Sequence, residues 1–181
     1  MDAASPGPGA PAAETFPPTD LPAFLRLCAG EWMSLRSRFA LGEAEAGENG
    51  DEWHSSERGE LQVRYEDPPV EGEPGGLSIT PQGQPPRQLL FDRAGGFRAV
   101  APAGSTGAAG PQEGHWQLWP DGSLELHLRG GDTEVRERIW FTKPNLRLRS
   151  TVEHHADGTP GRASFSSEIR RVSRPAAPAA A

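Results

Sequence analysis

The chain has little cysteine and little lysine: one of each, Cys28 and Lys143, in 181 residues. A lone thiol cannot close an internal disulfide, which excludes a disulfide scaffold and agrees with a reducing compartment. No lysine or arginine precedes Arg26 and no long apolar run occurs, so neither a secretory leader nor a membrane span is expected, and the chain is placed in a cytoplasm. Its formal net charge of -7 and the lack of any basic stripe exclude a nucleic-acid binder. Helical periodicity occurs once, near the start, which excludes a βαβ architecture. His154 and His155 are adjacent and would point to opposite sides of a strand, with no further Cys or His at ligand spacing, so no metal site is expected.

Glycine (22) and proline (19) are plentiful, but they concentrate in residues 1–18, 71–86, 101–114 and 174–181. The Ala- and Pro-rich ends, 1–18 and 173–181, carry too little apolar surface to offset the entropy of ordering and read as disordered tails. Residues 101–114 read as a mobile loop. Between the tails, residues 19–172 form one domain. Leu21, Phe24, Leu25 and Cys28 fall on one face of a short helix, with Thr19 or Asp20 as cap, Pro22 in the first turn and Gly30 as a left-handed stop.

Beyond Gly30 the period becomes 2. Strands are expected over 31–41, around Leu61 to Tyr65, over 89–91 and 97–100, and then over 114–119, 123–129, 134–141, 146–152 and 162–172, joined by turns such as Pro120-Asp121-Gly122. A helix followed by eight to ten short strands fits an all-β, up-and-down antiparallel barrel closed at one end by the helix, with a sandwich as the alternative. Such a barrel encloses one small ligand.

Three strands carry charges in places that matter. Val135, Glu137, Ile139 and Phe141 share a face, so a carboxylate interrupts an apolar row. If that row is the inside, Glu137 needs a cation or a polar ligand; if Trp140 points inward instead, Glu137 is solvated. On the next strand Arg147 and Arg149 alternate with Leu146 and Leu148, and either row could be the inside. On the first, Trp32, Ser34 and Arg36 oppose Met33, Leu35 and Phe39. Inward-facing guanidinium forks would suit a ligand with two carboxylates. Cys28, on the apolar face of the helix, reads as a packed thiol. Trp116 and Trp119 fall on opposite faces, so at most one could stack on a ligand.

Glu137-Arg138-Ile139-Trp140-Phe141, Asn145 through Ser150 and Ala163 through Arg170 resemble, in order and spacing, the C-terminal motifs of the S/U-type phycobiliprotein lyases. Gly30 through Ser37 is similar to that family's first-strand motif, in which a Trp, a Ser and an Arg recur. The resemblance implies a ten-stranded lipocalin-like (calycin) barrel and chromophore-lyase activity. The substrate would be a phycobilin, phycocyanobilin or phycoerythrobilin, with no tightly bound cofactor. The acceptor would be a cysteine of a phycobiliprotein α or β subunit. It also implies a possible homodimer, or a heterodimer with a related lyase subunit. Glu137, Arg147 and Arg149 would be catalytic, and with Ser34 and Arg36 they would bind the bilin. Against the family pattern, Leu35 and Phe39 stand where Gln and His are common, and Ile79-Thr80-Pro81 stands where a Trp follows a short strand. The rival functions are a non-catalytic bilin carrier, a lipocalin for another apolar acid and a scaffold protein.

Overall fold

In a computed structural model of the chain, residues 15–41, 53–100 and 112–172 are described. The expected tails at 1–14 and 173–181 and the expected loop at 101–111 lie outside the described residues. Helix α1 (Leu21–Cys28) leads into strands β1 (Gly30–Ala40), β2 (His54–Glu66), β3 (Gly75–Pro81), β4 (Arg87–Phe91) and β5 (Gly96–Val100). These are followed by β6 (Gln112–Leu118), β7 (Leu124–Gly130), β8 (Thr133–Lys143), β9 (Leu146–His155) and β10 (Pro160–Arg170). Each strand pairs antiparallel with its neighbour in sequence, and β1 pairs β10 to close the barrel. The up-and-down barrel is therefore the fold, and the sandwich is excluded.

The helix forms as its spacing requires. The Asp20 carboxylate accepts from the Ala23 N–H at 2.8 Å, Pro22 occupies the first turn, and Leu21, Phe24, Leu25 and Cys28 are all buried. The stop differs from the expected one. Gly30 is the first residue of β1, with φ +142°, and the Arg170 guanidinium donates to the carbonyls of Leu27 and Ala29. A Cβ on Gly30 would meet that guanidinium at 2.5 Å, so the glycine makes room for a cationic cap on the C-terminal end of the helix.

Two further corrections concern the ends and the middle. Pro18, expected within the tail, is buried. Strand β3 lies in the glycine- and proline-rich stretch 71–86, where no strand is expected. Gly75 adopts φ +94°, and a Cβ there would strike the Glu66 carbonyl at 2.6 Å and the Tyr65 hydroxyl at 2.7 Å. The glycine marks a close approach of two strands.

The apolar face of α1 seals one end of the barrel, where Phe24 meets Phe141 edge-on at 5.3 Å and Trp32 lies 6.1 Å from Phe141. Leu124, Ile139 and Phe91 complete this plug. Each such side chain contributes about 1.5–3 kcal/mol through burial. On β3 to β7 the inward residues are mostly apolar, as alternation predicts. On β1, β9 and β10 the pattern is inverted: Met33, Leu35, Phe165 and Ile169 are exposed on the outer wall, whereas Arg147, Arg149, Ser166 and Glu168 are buried.

Candidate functional site

Register places the site. In antiparallel pairs, directly opposed residues share a face, so Ser34, Glu168, Arg147 and Phe141 form one inward rung across β1, β10, β9 and β8. The rung above contains Arg36, Ser166, Arg149 and Ile139, and the next contains Arg38, Ser164, Thr151 and Glu137. Glu137 thus faces inward, as do both arginines of β9, and the solvated alternatives for these residues are excluded.

The rungs bound a cavity of about 660 Å³ on the side of the plug away from α1, within the range of sites for drug-sized ligands. One wall is polar, with Ser34, Arg36, Glu137, Arg149, Thr151 and Glu168; the facing wall is largely apolar, with Leu61, Ile79, Leu89, Phe97, Leu126 and Leu128. Arg87 lies on that second wall, a charged side chain among these apolar ones.

The polar wall is a linked network. Arg147 Nε donates to Glu168 Oε2 at 2.5 Å, Arg149 Nη2 lies 3.4 Å from Glu168 Oε1, and Arg149 Nη1 lies 3.5 Å from Glu137 Oε1. Thr151 Oγ1 donates to Glu137 Oε2 at 3.4 Å, and Arg36 Nε donates to Ser166 Oγ at 3.2 Å. Burial pushes the Glu168 carboxyl upward, but Arg149 and Arg147 together hold it below the ordinary carboxylate range. Arg149 is opposed by burial and carried above its usual value by Glu137 and Glu168. Arg149 Nε and Arg147 Nη2 are buried without a hydrogen-bond acceptor among the described residues, which leaves a donor open on each side of Glu168.

The structure separates residues that the sequence groups together. Ser34, Arg36, Glu137 and Arg149 line the cavity, but Arg147 does not. Its guanidinium sits beneath the floor, 4.5 Å from the centre of the Trp32 ring, with Arg170 at 4.3 Å from the same ring and the indole N–H donating to the Cys28 carbonyl at 3.0 Å. Arg147 therefore reaches the lumen through Glu168. Glu168 and Arg87 are the members that sequence reasoning did not single out. Period 2 carried a signal for both, since Arg87 shares a face with Leu89 and Phe91, and Glu168 shares one with Ser166 and Arg170.

Cys28 is fully buried and its thiol is raised by burial, with Arg147 pulling it partly back. Trp116 packs on the core and donates its N–H to the Asp92 carbonyl at 3.0 Å, while Trp119 lies outside under the Arg138 guanidinium; neither lines the cavity. Leu35 and Phe39 also point away from the lumen, Phe39 stacking on Trp53 at 6.0 Å. Departure from the family pattern at these two positions leaves the lumen untouched. Ile79 and Pro81 do line it, so the aromatic missing there is missing from the lumen wall.

A closed antiparallel barrel with a helix-sealed floor and a charged lumen defines a lipocalin-like ligand-binding protein. A model of the CpeS-like protein family matches residues 104–171. The chain is 41% identical over 167 residues to chromophore lyase CpcS/CpeS 1 of Paulinella chromatophora, an overlap spanning 92% of this chain and 97% of that one. It is 32% identical over 170 residues to chromophore lyase CpcS/CpeS 2 of Synechococcus sp. (strain JA-3-3Ab), spanning 92% and 76% of the two chains. The S-type phycobiliprotein lyase CPES from Guillardia theta superposes with a TM-score of 0.57 at 20% identity, covering 83% of this chain and 92% of that one. This chain belongs to the CpcS/CpeS chromophore lyase family, and it is a lyase.

Proposed function

We propose that the lumen holds a phycobilin and presents it to a cysteine of a phycobiliprotein subunit. The observation that carries this reading is the pairing of one apolar wall with a wall of arginines and carboxylates. A bilin has the matching halves: flat apolar rings on one hand, two propionates and a row of pyrrole N–H groups on the other. Apolar side chains bury the rings, guanidiniums hold the acids and a carboxylate meets the N–H groups.

In the transfer, the acceptor thiol adds across the exocyclic double bond of ring A. A C–S bond forms, and one proton is placed on the neighbouring carbon, so no oxidant or reductant enters. The nucleophile belongs to the partner, in keeping with the burial of Cys28. Glu137, hydrogen-bonded by Thr151 and facing the lumen, guides the proton at the bilin. Ser34, Arg36 and Arg149 orient the ligand for attack from one side. Arg147 acts as a positioning residue by holding Glu168.

The test is co-production of the chain with a bilin-synthesising pathway and candidate phycobiliprotein α and β subunits, followed by denaturing gels read for zinc-enhanced fluorescence. A covalent band on one subunit, dependent on this chain, is the expected result. Pigment that co-purifies with the chain and labels no subunit would make it a carrier in place of the transfer step proposed here.

A further inference from the structure

The lumen contains more guanidinium than its carboxylates can neutralise, and part of the excess lies outside the sequence motifs. Arg147 and Arg149 are engaged with Glu168 and Glu137. Arg38, nearer the rim, is paired with Glu57 at 2.7 Å. Two inward arginines remain with no carboxylate partner among the described residues. One is Arg36, which uses a single N–H on Ser166. The other is Arg87.

Arg87 opens β4 and is directly opposite Ile79 of β3, on the face that points into the barrel. In the closed order of strands, β8, β7, β6 and β5 separate β4 from β9 on one side, and β10, β1, β2 and β3 separate them on the other. Arg87 therefore projects from the wall diametrically opposite Arg149. Its neighbours on that wall are apolar, among them Leu89, Phe97 and Leu61. A guanidinium among aliphatic side chains, solvent-accessible through an open lumen, loses hydration as soon as a ligand fills the space. Arg87 is exposed to the open lumen, yet the protein around it already lowers its pKa by desolvation; Glu137 opposes this from across the lumen, and Arg149 and Arg36 add to it. An incoming anion relieves all three penalties at once.

We propose that Arg87 is the anchor for a carboxylate of the bound ligand, on the opposite wall from Arg36 and Arg149, so that the cavity selects a ligand carrying two acid groups. The inference rests on the reading of the ligand as a bilin, whose two propionates supply those acids. Arg87 is then a binding and positioning residue: it sets the roll of the tetrapyrrole, and with it the face of ring A that the acceptor thiol meets.

The experiment compares binding of phycocyanobilin and its dimethyl ester to the full chain and to Arg87→Met, with Arg87→Lys as a third protein. For the full chain, the free diacid should bind better than the diester. Arg87→Met should weaken diacid binding about tenfold or more and leave diester binding within about twofold, because one charge-assisted fork is removed and the apolar contacts are kept. Arg87→Lys should fall between, since it keeps the charge and loses the fork. Unchanged diester binding also shows that the variant lumen is folded. Diacid binding by Arg87→Met equal to that of the full chain overturns the anchor while the bilin reading stands. Failure of the full chain to bind either pigment overturns the bilin reading, and the anchor with it.

Discussion

The two halves of this barrel wall obey opposite rules. On β3 to β7 the inward residues are mostly Leu, Ile and Phe, with Arg87 the charged one, and the wall both lines the ligand space and holds the fold together. On β1, β9 and β10 the inward residues include Ser34, Arg36, Arg147, Arg149, Ser166 and Glu168, while Met33, Leu35, Phe165 and Ile169 face out. The apolar half stabilises through burial. The charged half gains little net stability, because desolvating a buried ion pair costs about as much as its attraction returns. Such a wall is explained by what it binds.

The largest effect that can break this comparison lies at Glu168. Glu168→Gln leaves the Arg147 and Arg149 guanidiniums buried with their shared anion gone and should cost about 3–5 kcal/mol, read as a fall in the urea midpoint. Replacing Arg147, Arg149 and Glu168 together by apolar residues of similar volume should recover most of that loss and abolish bilin binding. If the triple variant stays as unstable as Glu168→Gln, the charged half is structural after all. The acid limb gives a second reading. Because the folded Glu168 carboxyl is held below its ordinary range, its contribution is fully present above that range and is lost as pH falls through the folded value. Glu168→Gln should therefore flatten the acid limb of a stability–pH profile.

The apolar half should respond in a graded way. Leu124, buried in the plug, should cost about 3 kcal/mol as Leu124→Ala, whereas Leu128, at the edge of the lumen, should cost about 1 kcal/mol because its removal only enlarges an existing space. Equal losses at the two positions would mean that the lumen wall is packed as tightly as the plug.

The same contrast explains what the sequence made legible. The helix, the β6–β7 hairpin and the strand alternation of the barrel follow from periodicity, because on α1, β6 and β7 the rule of apolar residues inside holds. That rule points the wrong way on β9 and β10: Leu146, Leu148, Phe165 and Ile169 make a persuasive inner row, and yet they form the outer wall. The family resemblance reversed the assignment by pointing to Arg147 and Arg149 as inward residues, but it could not distinguish the arginine that lines the cavity from the one beneath it. That distinction depends on which rung lies above the Trp32 floor. Strand β3 escaped notice because Gly75 and Gly76 resemble turn residues, and the reason for them, the Tyr65 hydroxyl, the Glu66 carbonyl and the Leu89 carbonyl pressed against their α-carbons, is visible only in three dimensions.

Within the charged half, binding and chemistry should separate at Glu137. Glu137→Gln keeps the shape and the Thr151 hydrogen bond but removes the proton-carrying group, so transfer to the acceptor subunit should slow about a hundredfold. Binding of the bilin, measured by absorbance titration, should change less than about threefold. Equal losses in both would make Glu137 a ligand-holding residue like Arg36.

Cys28 lies where the two halves meet, on the apolar face of α1 and beside Arg147, and its effect should be the smallest. A guanidinium neighbour favours a reactive thiolate, but burial opposes it more strongly and leaves the thiol raised. Native protein should therefore resist iodoacetamide at pH 8 and react once unfolded in urea. Cys28→Ala should cost about 1 kcal/mol from lost packing and leave chromophore transfer unchanged. A folded Cys28→Ala variant that binds bilin but cannot transfer it would instead place a covalent step on the lyase itself, and the acceptor thiol would lose its role as first nucleophile.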